Sequence, residues 1–275
     1  MARHAIQMSD DGAPNRSVAA RRKLLLDYVI TVGSTQVDVL ATRFEVSRMT
    51  VHRDLDALVE QGMVRKVHGG VTTRASSLME SNFLLRSRLA EREKQALGRA
   101  ATALIEPGQA IILDDSTTVA ALCAYLPACQ PLTVITNGLT AIDRLRGAAG
   151  ISVICLGGNY SSRLNGFSGL LCEQAIASMR ANVLFMSSSS VFGHAAYHQE
   201  PDVVKTKRAL MAIAERRILL VDSSKFGITA LYHLADLTEF DLVLTDDGIG
   251  PAEVEAMREA KVSLRIVEKT NRAER

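Results

Sequence analysis

Ser47, Arg48, Met49, Thr50, His52 and Arg53 fall within one short run, VSRMTVHRDL (residues 46–55), and Arg65, Lys66, His68 and Gly69 follow in RKVHGG (residues 65–70). Ser47 has the hydroxyl and the position of a helix N-cap. A helix opening there turns Val51, Leu55, Leu58 and Val59 to one side and Met49, Arg53, Asp56 and Glu60 to the other, with Arg48 and His52 between. Its cationic and neutral groups come first and its acids later, which suits a helix whose N-terminal end enters the major groove of duplex DNA. The Ser47 and Thr50 hydroxyls and the helix N-terminus can hold a backbone phosphate. Arg48, His52 and Arg53 are the side chains for base edges, arginine on guanine being the commonest specific contact. Arg65, Lys66, His68 and Arg74 can follow phosphates, while Gly69 and Gly70 let backbone approach closely.

A second constellation lies further along. IILDDSTT (residues 111–118) runs from a strand pattern into a helix pattern and brings Asp115, Ser116, Thr117 and Thr118 to the turn. Other strand patterns end in Thr136-Asn137-Gly138, in Leu156-Gly157-Gly158 and in DSSKFG (residues 222–227), which adds Lys225. Hydroxyls, glycine backbone and one amine at the same edge make a phosphate site. Asp115 and Asn137 suit sugar hydroxyls better, since a carboxylate repels a phosphate. The serines at 187–190 either line the same pocket or form a loop. His194 and His198 have i, i+4 spacing, but no third ligand sits near and Gly193 argues against a helix, so they read as loop histidines and no metal site is expected. Glu200, Lys205 and Lys207, opening the next helix, read as solvated, the alternative being that they reach the pocket mouth.

No residue is assigned a catalytic role. Isomerisation by proton transfer needs a carboxylate base, yet GGNYSSRLNGFSG (residues 157–169) holds no acid and no acidic pair flanks Lys225. Neither a GxxxxGK[ST] nor a GxGxxG run occurs, so no nucleotide cofactor is expected.

The elements that must position these groups fall into segments. After a leader, residues 1–16, residues 17–74 read as three helices and a hairpin, a winged helix-turn-helix. Leu24, Leu25, Tyr28, Val29 and Val32 recur at helical spacing, Gly33 ends that helix, and Ser34 or Thr35 caps the next. A third helix runs from Ser47 to Gly62, and strands follow at 63–67 and 71–74. Residues 75–93 form a connector. Residues 94–275 alternate strands (110–114, 132–136, 151–156, 183–187, 218–222, 241–245, 264–267) with helices, the pattern of a mostly parallel α/β sheet covered on both faces. Such sheets bind ligands at the carboxyl ends of their strands.

At 275 residues the chain is long enough for two domains. Residues 1–74 carry 11 Lys and Arg against 8 Asp and Glu, and the remainder carries 21 against 22, so DNA binding depends on where the cations sit rather than on bulk charge. Cys123, Cys129, Cys155 and Cys172 form no CxxC pair and read as buried structural thiols. No apolar run approaches the ~20 residues that span a bilayer, and the N-terminus lacks an apolar signal core. A soluble cytoplasmic protein is expected.

Residues 21–70 resemble the N-terminal module of DeoR-type bacterial repressors, through the VSxxT[IV]xRDL core, the LxxxG that follows and the RKxHGG wing, with His52 where the family carries Arg. The resemblance continues through Phe83-x-x-Arg86, Glu93-Lys94, the LDDSTT, TNG and LGG turns and DSSKFG, with Ser116 where the family carries Gly. It implies a C-terminal sensor domain similar in fold to ribose-5-phosphate isomerase, binding of a phosphorylated sugar that alters affinity for operator DNA, and assembly as a dimer or tetramer. The alternative is a sugar-phosphate isomerase carrying a DNA-binding appendage.

Overall fold

The computed structural model describes residues 17–74 and 82–269; the expected leader and residues 75–81 of the expected connector lie outside them. The chain divides into two units, Met1–Arg74 and Ala75–Arg275.

The N-terminal unit runs α1 (Val18–Val32), β1 (Ser34–Gln36), α2 (Val37–Phe44), α3 (Arg48–Glu60), β2 (Arg65–Val67) and β3 (Gly70–Thr72). Side-chain caps start α1 and α3: Ser17 Oγ accepts from Ala20 N–H and Ser47 Oγ from Thr50 N–H. Leu25, Leu26, Val29, Val37, Leu40, Val51, Leu55 and Leu58 form the buried core. The strands make one sheet in the order β1-β3-β2, and the unit is a winged helix-turn-helix.

Two features of this unit differ from or go beyond the sequence reading, and both have local causes. Ser34 and Thr35 do not cap α2; they pair antiparallel with β3, and the N-cap falls on Gln36, whose side chain bonds nothing there. Gly70 permits that pairing, because a Cβ on it would lie 2.2 Å from the Thr35 carbonyl oxygen. The acid of the RDL run is also not a surface charge. Asp54 is 1% exposed, and its carboxylate accepts from Arg21 Nε at 2.6 Å and Arg22 Nε at 2.9 Å, tying α3 to the start of α1.

In the C-terminal unit α4 (Phe83–Arg88) and α5 (Glu91–Ala101) come first, then β4 (Ala110–Leu113), α6 (Thr117–Ala120), β5 (Leu132–Thr136), α7 (Leu139–Leu145) and β6 (Ile151–Cys155). A hairpin, β7 (Asn159–Ser161) and β8 (Gly166–Ser168), leads to α8 (Leu170–Ala177), β9 (Ala181–Met186), β10 (Ser190–Phe192), β11 (Ala195–His198) and α9 (Pro201–Ile213). The chain closes with β12 (Ala214–Leu220), β13 (Tyr232–Asp236), β14 (Leu242–Asp246), α10 (Pro251–Glu259) and β15 (Leu264–Val267).

Seven strands form a parallel sheet ordered β15-β14-β12-β9-β4-β5-β6. Alternate strand residues go to opposite faces, and the core divides accordingly. Ile112, Leu184 and Leu219 join Leu210 of α9 and Met257 of α10 on one face, while Ile111, Leu113, Phe185 and Leu220 join Leu97 of α5 and Leu145 of α7 on the other. From β4 the chain winds outward through β5 to β6, then returns to lay β9 on the opposite side of β4. The winding direction therefore reverses between β4 and β9, where the carboxyl ends of the strands leave a crevice.

The antiparallel sheet β10-β11-β13 and the β7–β8 hairpin are short strands that the apolar pattern does not mark. Residues 82–93 do not form a free connector, since α4 and the start of α5 pack within this unit, Phe83 N–H donating to the Arg163 carbonyl at 2.8 Å. The thiols divide as well. Cys123 and Cys172 are buried and Cys129 half-buried, but Cys155 is exposed because β6 is an edge strand lacking the cover of a central one.

Asp54→Ala leaves two guanidinium groups without their shared carboxylate. It is expected to lower protection of the α1 and α3 amides in hydrogen exchange by on the order of 2–3 kcal/mol. A loss under about 0.5 kcal/mol, the range of an exposed pair, would show that the pair does not hold the helices together.

Candidate functional site

On the N-terminal unit the sequence-derived residues share one helix start and one hairpin. Arg48, Met49, His52 and Arg53 are exposed on α3, Met49 at 64%. Arg65 and Lys66 lie on β2, and His68 and Gly69 form the turn into β3, all exposed. Ser47 and Thr50 are partly committed, since their hydroxyls share a hydrogen bond of 3.0 Å beside the cap. Arg48 Nε meets Asp38 at 2.9 Å, and Lys66 is paired with Asp56. Exposed pairs of this kind contribute roughly 0–1 kcal/mol, so a phosphate can displace either acid at little cost. Arg53 makes no ion pair among the described residues.

In the C-terminal unit Asp115, Ser116, Thr117, Thr118 and Lys225 line one cleft at the β4, β9 and β12 ends. Counted with the open space at its mouth, it encloses about 580 Å³. Ser187, Ser188 and Ser189 line it too, together with Arg86, Lys94, Leu164, His198, Lys207 and Asp222. Thr136, Asn137, Gly157 and Gly158 are not among its walls. Thr136 Oγ1 accepts from Gly138 N–H at 3.0 Å and Asn137 Nδ2 donates to the Phe167 carbonyl at 2.9 Å, so both brace the turn and hairpin beyond β5. Gly157 and Gly158 are exposed after β6, and Gly158 packs so closely on the hairpin that a Cβ would lie 2.5 Å from the Ser168 carbonyl oxygen.

The cleft is organised by Asp114, a residue the sequence reading gave no role. Its Oδ1 accepts from Ser116 N–H at 3.0 Å and Ser116 Oγ at 2.5 Å; its Oδ2 accepts from Ser187 N–H at 2.8 Å and from Lys207 Nζ. One buried carboxylate thus joins the ends of β4 and β9 to α9. Ser116 Oγ also accepts from Val119 N–H, so its proton and one lone pair are already used.

Lys207 is not solvated, as the sequence suggested, but 3% exposed and paired with Asp114 and, at 3.6 Å, Asp115. It shares the inward face of α9 with Val203 and Leu210, a helical spacing that marks it as a core-facing lysine. Burial works against its charge, but the two carboxylates outweigh burial and raise its pKa above 10.5. Asp115 is pushed up from 3.8 by burial, which Lys207 offsets only in part.

The wall opposite comes from α4 and α5. Arg86 Nη2 donates to the Leu164 carbonyl at 3.3 Å, and Lys94 Nζ to the Arg86 carbonyl. Lys225 closes a turn opened by Asp222, whose Oδ1 accepts from Ser224 N–H at 3.2 Å and from Ser224 Oγ. Asp246, at the end of β14, holds the same turn by accepting from Ser223 N–H at 2.7 Å and Ser223 Oγ at 2.9 Å. Burial acts to raise the Asp246 pKa, but these bonds, the Gly248 N–H and Lys269 prevail and lower it. His194 precedes β11 and His198 ends it, so neither lies on a helix, and His198 Nδ1 accepts from Glu200 N–H at 3.0 Å. No cluster of three metal-ligating side chains exists among the described residues, nor is any helix long and apolar enough to cross a membrane.

Residues 21–77 match the DeoR-like helix-turn-helix domain and residues 89–247 the DeoR C terminal sensor domain. Among curated relatives, the uncharacterized HTH-type transcriptional regulator YgbI of Escherichia coli (strain K12) is 31% identical, over 90% of this chain and 96% of that protein. The putative aga operon transcriptional repressor of Escherichia coli O157:H7 is 27% identical over 90% and 93%, and the L-fucose operon activator of Haemophilus influenzae 31% over 82% and 91%.

Two stability outcomes follow from the cleft. Lys207→Met strands the Asp114 carboxylate and is expected to destabilise the C-terminal unit by about 3–5 kcal/mol in urea unfolding; a loss under about 1 kcal/mol would mean that Asp114 does not depend on the amine. The depressed Asp246 pKa contributes stability that is fully present above the ordinary value of 3.8 and lost as pH falls through the lower folded value. Asp246→Asn should therefore flatten the fall in stability across that acid window, and an unchanged slope there excludes Asp246 as its source.

Proposed function

The chain belongs to the DeoR family of transcriptional regulators, and from that premise we propose that it represses a carbohydrate-utilisation operon, with a phosphorylated sugar in the C-terminal cleft setting its affinity for operator DNA. The observation that carries this reading is the cleft itself: Arg86, Lys94 and Lys225 surround a floor of Ser and Thr hydroxyls. Such a site matches a phosphoester together with the hydroxyls of a sugar. The names of the aga and L-fucose relatives support a sugar operon as the target.

α3 supplies the contacts to base edges through Arg48, His52 and Arg53, and Arg65, Lys66 and His68 follow phosphates along the hairpin. Binding is steeply salt-dependent, as for any site that releases counterions. Two copies of the chain present two such helices to repeated half-sites, as a dimer or a larger assembly. Arg86 and Lys94 give the effector a handle on α4 and α5, the elements that follow directly on residues 75–81. A ligand that draws these cations inward moves α4 and α5 and so changes the DNA-bound population, with a coupling of about 1–3 kcal/mol, or roughly 5- to 150-fold in affinity. An isomerase reading is displaced, because relatives matched over nearly their whole length are named as regulators.

Arg53→Ala is expected to weaken binding to DNA from upstream of its own or neighbouring genes by roughly 1–3 kcal/mol. Sugar-phosphate stabilisation in a thermal-shift assay should stay intact; loss of both would show that the two activities are not separable. Lys225→Ala should remove the sugar-phosphate response and spare DNA binding, whereas a full response in that variant excludes Lys225 from the site.

A further inference from the structure

Asp222 carries an oxygen that the fold leaves unmatched. The residue is 1% exposed and lines the cleft. Its Oδ1 is used by Ser224, but its Oδ2 is buried and has no hydrogen-bond partner among the described residues. The neighbouring carboxylates are treated differently: Asp114 receives four donors, and Asp246 receives Ser223, Gly248 and Lys269. The cations nearby do not serve Asp222 either, since Lys207 is bound to Asp114, and Lys225, three residues away, makes no ion pair among the described residues. A buried acceptor without a donor is a cost that folded proteins seldom leave in place.

The turn from Asp222 to Lys225 therefore brings a cation, and a carboxylate with one unmatched oxygen, to the walls of the same cleft. A phosphate alone satisfies Lys225 and is repelled by Asp222. A molecule bearing both a phosphate and a hydroxyl satisfies both. Resting on the reading of the cleft as a sugar-phosphate site, we infer that Asp222 Oδ2 accepts a hydrogen bond from a hydroxyl of the effector's sugar part. Asp222 is then the specificity-determining residue that distinguishes a phosphorylated sugar from inorganic phosphate, while Lys225 takes the phosphate in either case. A carboxylate is suited to this role because a site built to bond a substrate hydroxyl rejects an analogue lacking it far more strongly than an apolar pocket does.

The test uses the full chain in thermal-shift and calorimetric titrations. The probes are inorganic phosphate and a panel of pentose 5-phosphates and hexose 6-phosphates, each with its monodeoxy analogues. Asp222→Asn keeps the Oδ1 cap of the turn and replaces only the bare acceptor with a donor; its unliganded melting curve shows that the variant folds. Wild type should bind one or more sugar phosphates well above inorganic phosphate. Asp222→Asn should bind the same sugar phosphate roughly 10- to 100-fold more weakly, the loss of one hydrogen bond to a charged group, with inorganic phosphate unchanged. One monodeoxy analogue should cost the wild type about as much and cost Asp222→Asn nothing further; a wild type that loses no affinity with any monodeoxy analogue overturns the inference even if the variant is unstable. Equal sugar-phosphate affinity in wild type and variant, or an additive loss with every deoxy analogue, overturns this inference alone. A wild-type protein that responds to no sugar phosphate overturns it together with the reading of the cleft.

Discussion

The buried carboxylate of Asp114 is the constraint around which the C-terminal unit is arranged. Four donors from three parts of the chain meet on it: the backbone and hydroxyl of Ser116 after β4, the backbone of Ser187 after β9, and the amine of Lys207 from α9. Without them the charge would be costly to bury; with them it becomes a fixed point. Everything that faces the cleft from this side takes its position from that point. Ser116 caps α6 only because its own proton is directed into Asp114, and Ser187 begins the serine run because its N–H is pinned there.

Topology explains why these groups converge. The sheet reverses its winding between β4 and β9, so the loops after those strands diverge and leave room above them. The loop after β12 completes the same rim, and Asp246 beneath it keeps Lys225 at the opening. The turns after β5 and β6 are taken up elsewhere: Thr136, Asn137 and Gly158 support the turn and hairpin beyond them instead of the cleft. The antiparallel sheet contributes His198, and the hairpin contributes Leu164, so elements of little hydrophobic signal close a site that the parallel strands open.

These relations mark what a sequence shows and what it conceals. The seven parallel strands were legible because each is a short, nearly continuous apolar run, and the winged helix because Ser47, the RDL run and the basic hairpin fall at fixed offsets. Strand order was not legible, and without it the four strand-end turns looked equivalent although only those after β4 and β12 share the cleft. Lys207 was concealed by its residue type: a lysine counts as polar in any pattern, yet its spacing from Val203 and Leu210 places it inward. Ser34 and Thr35 had the chemistry of caps, and only the space left by Gly70, more than thirty residues later, turned them into a strand. Cys155 sits in an apolar run like its neighbours and is exposed only because β6 is an edge.

The distribution of charge in the cleft carries the argument one step further. Lys207 and Asp114 neutralise each other inside the fold and contribute little field outside it, so the amine that looks best placed to attract an anion is the one least able to. The other cations that line the cleft are Arg86 and Lys94 on α4 and α5 and Lys225 on the turn after β12. They stand on opposite walls and belong to segments far apart in sequence. The wall bearing Arg86 is held by bonds that include Arg86 Nη2 to the Leu164 carbonyl at 3.3 Å and Lys94 Nζ to the Arg86 carbonyl, whereas the Lys225 wall is anchored through Asp246. The Arg86 wall is the one that follows the residues joining the two units. In the proposed mechanism the response to the effector is therefore carried by α4 rather than by the strand ends, which Asp114 holds in place.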